Sequence, residues 1–177
     1  SSIAMISELR KWNADRLKTD KMPVGMGVGV NTDNVVTGNI GSSKRMDFTM
    51  IGDGVNLAAR LEGSCKTYGA QIIISEFTQT KLKGIYALRE LDRIVVKGKT
   101  EPVSIFEVLD FHDDETFPAR MDVVGHFTEG LAHYRNIKFD DAIRSFKAAL
   151  DANSEDVPSK LYICLLYTSD AADEYSG

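Results

Sequence analysis

Residues 49–62, TMIGDGVNLAARLE, contain three polar side chains suited to binding a phosphate-bearing ligand. Asn56 and Arg60 are one helical turn apart, so on a helix they project from the same arc. Thr49 ends a β-rich run, seven residues before Asn56. A hydroxyl and an amide can orient a ligand through hydrogen bonds, and a guanidinium holds phosphate oxygens in bidentate fashion. The spacing therefore predicts a polar ligand site at a strand-to-helix junction.

The same residues also allow a purely structural interpretation. Asp53, within the Gly-Asp-Gly turn, is expected to cap the following helix. Asn56 can then form a local hydrogen bond, and Arg60 can be an ordinary surface or interface charge. Spacing alone leaves both interpretations open.

The elements around this junction begin with a helix and a predicted β-hairpin. Residues 3–18 have the apolar spacing of an amphipathic helix. PVGMGVGV (23–30) alternates apolar residues with glycines, as a strand does, and the glycine face leaves room for a backbone, a helix or a ligand. Residues 31–34 form a turn cluster, after which VVTGNI is expected to return as the second hairpin strand. A hairpin turn at this point argues against GMGVG as a phosphate loop, which needs a helix directly after its glycines.

The rest of this region predicts an α+β fold. The segment MDFTMI is a third strand, and residues 52–68 form a helix. Its packing arc contains Leu57, Ala58, Leu61 and Cys65. Further along lie a strand at QIIIS, a short helix at SEFTQTKL, and strands at ALRELDRIVVK and EPVSIFEVL. The order β-β-β-α-β-α-β-β mixes hairpins with crossovers, which predicts a sheet covered by helices.

The C-terminal third changes to helical patterns. Residues 111–121 are acidic and predict a linker, and 122–163 contain two helices, at 123–136 and 139–152. The segment 122–163, with both helices, resembles one tetratricopeptide (TPR) unit of helix-turn-helix type. A plain helical hairpin is an alternative. Its small and large positions are Gly130, Ala132, Tyr134, Phe139, Ala142, Ile143, Phe146 and Ala149. A single unit needs a neighbour to bury its face, so the segment is expected to serve packing or a protein partner.

Residues 164–177 are expected to have a different origin from the rest of the chain. CLLYTSDAADE, residues 164–174, agrees in all eleven positions with the reading-frame translation of a common transposase sequencing adapter. A natural acidic tail is the alternative. We therefore leave 164–177 out of the fold prediction. We also expect the chain to be a piece of a longer protein, since it opens in the middle of an element at Ser1.

Composition excludes several classes of protein. A net charge of -5 without a long basic run disfavours nucleic-acid binding. Two cysteines, Cys65 and Cys164, cannot form a disulfide framework and are typical of a reducing compartment, so a cytoplasmic location is expected. No apolar stretch reaches the roughly 20 residues of a membrane helix, and three histidines are too sparse for a metal cluster. Cys65 is expected to be a small core residue, and Trp12 a core or dimer contact.

The residues of the junction also carry a family resemblance. RMDFTMIGDGVNLAARLE, with VGMGVGVNTDNVVTGNIGS before it and VVKGKTEPVSIFEV after it, resembles the second half of a class III adenylyl/guanylyl cyclase catalytic domain. The similarity covers about residues 1–110 and implies a partial ferredoxin-like cyclase fold. The helical tail is similar to the repeat segment that follows this domain in some bacterial cyclases.

The resemblance implies a role for each site residue. Asn56 matches the asparagine that orients the ribose, and Arg60 matches the arginine that stabilises charge on the α-phosphate. Thr49 stands where many members carry an adenine-recognising aspartate, and a threonine there is similar to a bacterial adenylyl cyclase subgroup. Lys97, with Lys99 as second choice, matches the lysine that contacts the terminal phosphates. ATP is therefore the expected substrate and cyclic AMP the product of this lyase.

The resemblance also implies what must come from elsewhere. The family uses Mg²⁺ or Mn²⁺, held by two aspartates in the first half of the domain, and a lysine there shares adenine recognition. We expect those ligands before Ser1, since Asp15 and Asp20 lack the motif. The site forms between two domains, so a homodimer is expected and this chain alone should be inactive. A guanylyl cyclase and a non-catalytic nucleotide-sensing or scaffold module remain the alternatives.

Overall fold

The computed structural model describes residues 1–42, 45–95 and 101–174, and the chain divides into two compact units, Ser1–Phe111 and His112–Gly177. The helices of the first unit are α1 (Ser2–Lys18), α2 (Asp53–Tyr68) and α3 (Glu76–Gln79). Its strands are β1 (Val28–Val30), β2 (Val36–Ser42), β3 (Arg45–Ile51), β4 (Ile72–Ser75), β5 (Leu88–Ile94) and β6 (Val103–Val108). The second unit contains α4 (Arg120–Arg135), α5 (Phe139–Ala152) and α6 (Val157–Glu174).

The first unit is built on a four-stranded sheet in the order β1-β4-β6-β5. Strands β1 and β4 are parallel, whereas β4–β6 and β6–β5 are antiparallel. On one face, Ile6 of α1 packs with Ile72, Ile74, Val108 and Phe111. Helix α2 covers the other face and contacts β1 and β4. The α+β fold with an antiparallel-rich sheet and covering helices is confirmed.

Gly29 in β1 and Gly27 just before it allow α2 to pack very close to the sheet. A methyl group at Gly29 would lie 2.2 Å from the carbonyl oxygen of Ala58 and 2.3 Å from the amide nitrogen of Glu62. One at Gly27 would lie 3.0 Å from the Cβ of Cys65. The glycine face recognised in the sequence is therefore occupied by the backbone of a helix.

The predicted hairpin between residues 23–30 and VVTGNI is wrong. Only Val28–Val30 form a strand, and it pairs in parallel with β4. Strand β2 pairs instead with β3, as a separate two-stranded ribbon. The reason is that all four residues of β4 are buried, so it is an inner strand that needs a neighbour on each side, which β1 and β6 provide.

Two aromatic side chains of the first unit differ from the sequence interpretation. Trp12 is 52% exposed, so it is not a core residue of this unit. The Arg16 guanidinium lies 4.7 Å from the centre of its ring, a cation–π contact. Phe111, assigned to the linker, is instead buried in the core of the first unit.

The second unit is a helical bundle with an aromatic core. Its buried cluster comprises Phe127, Leu131, Ala142, Phe146, Tyr162 and Leu166. Gly130 lets α4 approach α5, because a methyl group there would lie 2.7 Å from the ring of Phe146. The two predicted helices are confirmed. Helix α6 also extends through residues 164–174, so part of the segment left out of the prediction belongs to the fold, with Leu166 in its core.

The described helices include none with the length and apolar character that crossing a bilayer requires.

Candidate functional site

One continuous segment, β3 followed by α2, carries three of the four predicted site residues. Thr49 lies opposite Gly38 in the β2–β3 ribbon and is exposed. Asn56 lies in the first part of α2, and Arg60 follows one turn later; both are exposed. The structure therefore presents a hydroxyl, an amide and a guanidinium to solvent on one β-hairpin-to-helix unit.

The start of α2 differs from the prediction for Asp53. The N-cap position is occupied by Gly52, without a side-chain cap bond, and Asp53 lies in the first turn. The capping assignment was therefore wrong by one residue. A carboxylate in the first turn still interacts favourably with the helix dipole.

The Arg60 guanidinium reaches across the surface to β5. Its Nη1 donates a hydrogen bond of 3.1 Å to the carbonyl oxygen of Val95, the residue after the end of β5. The Asn56 side chain, in contrast, bonds no other residue in the part of the chain that the structure describes. Lys97 and Lys99 lie outside the described residues.

Two side chains on α2 hold the far end of the helix. The Tyr68 hydroxyl donates a 2.7 Å hydrogen bond to Asp92 of β5, and burial together with this bond raises the pKa of Tyr68. Cys65 is buried against the sheet, and burial raises the pKa of its thiol. A thiol of raised pKa is a poor nucleophile, so the structure supports a packing role for Cys65.

A network of polar side chains joins the carboxyl ends of the parallel strands β1 and β4. Ser75 Oγ, fully buried, donates to Asn31 Oδ1 at 2.6 Å, and Asn31 Nδ2 donates to the carbonyl oxygen of Gly54 at 3.0 Å. Thr78 adds a hydrogen bond of 3.2 Å to the carbonyl of Val30. Sequence reasoning treated Asn31 only as part of a turn. The missed signal was an Asn–Thr pair directly after a β-strand.

The described residues contain no cluster of metal-binding side chains. Residues 1–42, 45–95 and 101–174 contain no group of three or more His, Cys, Asp or Glu side chains that could hold one. The available donors at the junction are a hydroxyl, an amide and a guanidinium, which suit an anionic organic ligand rather than a cation.

The first unit thus combines an α+β sheet with a β-hairpin that leads into a packed helix, and Thr49, Asn56 and Arg60 lie on that segment. Residues 2–109 match the family described as the adenylate and guanylate cyclase catalytic domain, and the chain belongs to this family.

Curated relatives of this chain include adenylate cyclases. The chain is 33% identical over 143 residues to the "Adenylate cyclase, terminal-differentiation specific" of Dictyostelium discoideum, covering 79% of this chain and 7% of the relative. It is 40% identical over 115 residues to an adenylate cyclase of Anabaena cylindrica, covering 61% and 23%. The chain thus spans less than a quarter of either relative. The first alignment is longer than residues 2–109, so it continues into the helical unit.

A solved structure supports the same fold. The guanylyl cyclase Cya2 superposes with a TM-score of 0.51 at 36% identity, covering 60% of this chain and 53% of that chain. The relatives therefore include both nucleotide specificities by name, and the family alone does not separate them.

Proposed function

We propose that this chain supplies the ribose- and phosphate-binding side of an adenylate cyclase site. In that reaction the ATP 3′-hydroxyl attacks the α-phosphorus, the bond to pyrophosphate breaks, and 3′,5′-cyclic AMP forms with release of the hydroxyl proton. The observation that carries this proposal is the exposed pair Asn56 and Arg60, one turn apart on a helix seated tightly on the sheet.

Each side chain has a role that follows from its chemistry. The Asn56 amide can donate to and accept from ribose hydroxyls, which orients the attacking oxygen. The Arg60 guanidinium can neutralise charge that develops on the α-phosphate. Its contact with Val95 lies on the surface, so exchanging a carbonyl oxygen for a phosphate oxygen does not require opening the core. Lys97 is proposed to contact the terminal phosphates.

Residues outside the described part must complete the site. The family implies Mg²⁺ or Mn²⁺, and when bound such ions neutralise phosphate charge. The donor set described above does not fit them, so we expect their ligands on another segment or chain. We therefore propose a homodimer through the cyclase unit, and we expect no turnover from this chain in isolation.

The choice of ATP rests on Thr49. A hydroxyl both donates and accepts hydrogen bonds, so it can pair with the edge of adenine. The similarity to a guanylyl cyclase structure keeps GTP as the second candidate. A nucleotide-binding module without catalysis is the remaining alternative.

The helical unit and the cell compartment are secondary parts of the proposal. The close packing of α4 on α5 at Gly130 supports a TPR-like unit, and we propose that it binds a protein partner. A cytoplasmic location is proposed from cysteine usage alone, and nucleic acid is not a proposed partner. The adapter origin of residues 164–174 stays a prediction.

A complementation assay tests the function. The chain is mixed with a related cyclase domain whose own catalytic asparagine and arginine are replaced by alanine, and cyclic AMP and cyclic GMP are measured with Mg²⁺ or Mn²⁺. We expect cyclic AMP from the mixture and none from either protein alone. Arg60→Ala should lower this activity by about 10²–10³-fold.

Arg16→Ala is the matched control for Arg60→Ala. Arg16 is also a helix arginine with one hydrogen bond to a backbone carbonyl, that of Met22 at 2.9 Å, and its loss should leave turnover unchanged. Thr49→Ala should reduce the preference for ATP over GTP. Equal loss from both arginine variants would overturn the proposed role of Arg60, dominant cyclic GMP would favour a guanylyl cyclase, and nucleotide binding without product would favour a sensor.

A further inference from the structure

We propose that Asn31 is a positioning residue that fixes the first turn of α2 and thereby the placement of Asn56. Its side-chain amide is a bridge between the end of β4 and the start of the helix. The inference about Asn56 rests on the proposed function, whereas the positioning of the helix itself can be tested without it.

The orientation of the Asn31 amide is determined by its neighbours. Ser75 Oγ accepts a hydrogen bond of 3.3 Å from the amide of Thr78, and its own proton has Asn31 Oδ1 at 2.6 Å as a closer acceptor than Thr78 Oγ1 at 3.4 Å. The oxygen of the amide therefore faces Ser75, and its nitrogen faces the carbonyl of Gly54 at 3.0 Å. Ser75 is fully buried and Asn31 is half-buried, so water does not compete at the Ser75 end of this arrangement.

A hydrogen bond to the Gly54 carbonyl fixes the first turn of α2 close to Asn56. In an α-helix the carbonyl of residue i accepts from the amide of residue i+4, and its second lone pair can accept from a side chain. The Asn31 bond uses that second position without breaking the helix. Because Asn56 follows two residues later on the same turn, a shift of Gly54 moves the Asn56 side chain with it.

The segment after β1 also contacts the start of α2 through van der Waals packing. A methyl group at Gly54 would lie 2.4 Å from the Cβ of Asp33. The segment after β1 therefore contacts the helix start twice, once through Asn31 and once through Asp33. Thr49, on the β2–β3 ribbon, belongs to neither contact. Loss of the amide should accordingly disturb Asn56 before it disturbs Thr49.

Replacement of Asn31 by aspartate removes the hydrogen bond to Gly54 and keeps the size of the side chain. In Asn31→Asp, an ionised carboxylate oxygen would face the Gly54 carbonyl, so an attraction becomes a repulsion. We expect hydrogen exchange of the amides that bond into the first turn of α2, those of Val55, Asn56 and Ala58, to become about 3–10-fold faster, corresponding to the loss of one hydrogen bond. Ser75→Ala keeps the amide but removes the group that orients it, and should give a smaller change in the same amides.

Asn13→Asp is the matched control. Asn13 also forms two hydrogen bonds through its amide, both at 2.8 Å and both to Val24, on the α1 face. The Asn13→Asp variant should leave hydrogen exchange at the start of α2 unchanged. In the complementation assay, Asn31→Asp should lower kcat for ATP by about 10–100-fold, because small displacements of orienting groups are costly. The KM should change less than threefold, whereas Asn13→Asp should alter neither quantity.

The two readouts distinguish the possible failures. Unchanged exchange in folded Asn31→Asp and Ser75→Ala would overturn the positioning role. Faster exchange with an equal kcat loss from Asn13→Asp would also overturn it, since the effect would then be general instability. If Asn31→Asp does not fold, Ser75→Ala decides the question. Faster exchange at α2 in the Asn31 and Ser75 variants, together with no cyclase activity from the parent chain in the complementation assay, would overturn the proposed function. The positioning of the helix by Asn31 would still be supported.

Discussion

Helix α2 and the β2–β3 ribbon carry neighbouring parts of the candidate site, but they are held in different ways. Helix α2 buries Leu57 and Leu61 against the sheet, and its backbone contacts Gly29 directly. The ribbon has large apolar side chains in solvent on both faces. Their exposures are 71% for Val36, 74% for Phe48, 57% for Met50 and 53% for Ile51.

The difference separates two parts of the proposed chemistry. Asn56 and Arg60 belong to a helix that the first unit fixes by itself, as catalytic positioning requires. Thr49 belongs to a two-stranded ribbon, which is marginally stable unless it packs on something else. We therefore expect charge stabilisation to be built into this chain, and base selection to depend on the surface that covers the ribbon.

The largest effect is expected under α2, at a buried ion pair. Arg89 of β5 donates to Glu107 Oε2 through Nε at 3.0 Å and Nη2 at 2.6 Å, and both side chains are at most 5% exposed. Arg89→Ala leaves a buried carboxylate without this partner and should lower the free energy of unfolding by about 3–5 kcal/mol. Urea denaturation followed by circular dichroism measures the change.

The double variant Arg89→Met with Glu107→Leu is the control for this pair. Apolar residues of similar volume avoid the desolvated charge, so much of the lost stability should return. If the double variant is as unstable as Arg89→Ala, packing rather than charge determines the effect.

The next largest effect is expected at Gly29. Gly29→Ala puts a methyl group 2.2 Å from the Ala58 carbonyl oxygen, so α2 must move away from the sheet. Overpacking of this kind should cost about 3 kcal/mol and should also lower complementation activity, because Asn56 and Arg60 move with the helix.

Gly63→Ala provides the comparison on the same helix. Apart from its chain neighbours and the adjacent backbone of α2 itself, no atom of the described residues lies within 4 Å of a methyl group at Gly63. Alanine should therefore stabilise the helix by about 0.5–1 kcal/mol and leave activity intact. Similar destabilisation by both variants would show that the close approach at Gly29 has no special importance.

Much of the first unit could be predicted from the sequence because its signals are local. The apolar arc of α2 gave the correct element type. The period of the glycine-rich segment 23–30 predicted a strand, of which the structure has Val28–Val30. The pairing of β1 was predicted incorrectly, because residues 31–34 look like a hairpin turn. The true partner, β4, lies some forty residues further on, and local pattern does not identify a distant parallel neighbour.

The candidate site residues could be proposed from the sequence, but the contacts around them could not. Asn56 and Arg60 were proposed from their spacing and from the family string, and their roles stay predictions. The bond from Arg60 to Val95, and that from Asn31 to Gly54, join segments more than twenty residues apart. Such bonds depend on tertiary packing, so no sequence window contains them.

A smaller effect is expected at the C-terminal end of α2. Tyr68→Phe removes the hydrogen bond to Asp92 and should cost about 1 kcal/mol at neutral pH. Because burial raises the pKa of Tyr68 in the folded state, its contribution is fully present below the unfolded pKa of about 10 and falls as pH rises above that value. Denaturation between about pH 9 and 11 should show this alkaline fall in the parent and a weaker one in Tyr68→Phe. An identical pH dependence in both would contradict the assignment.

The smallest effect on folding is expected on the ribbon, and it tests the comparison from the other side. Phe48 is 74% exposed, so Phe48→Ser should change the free energy of unfolding of the monomer by less than about 0.5 kcal/mol. If the ribbon is covered by a second copy, the loss of an aromatic contact should weaken self-association by roughly tenfold or more, as measured by analytical ultracentrifugation. Ile85→Ser is the control, because Ile85 is fully exposed but lies outside the ribbon. Equal self-association of Phe48→Ser, Ile85→Ser and the parent chain would mean that the ribbon is not the dimer surface, and that Thr49 must select its base without a second subunit there.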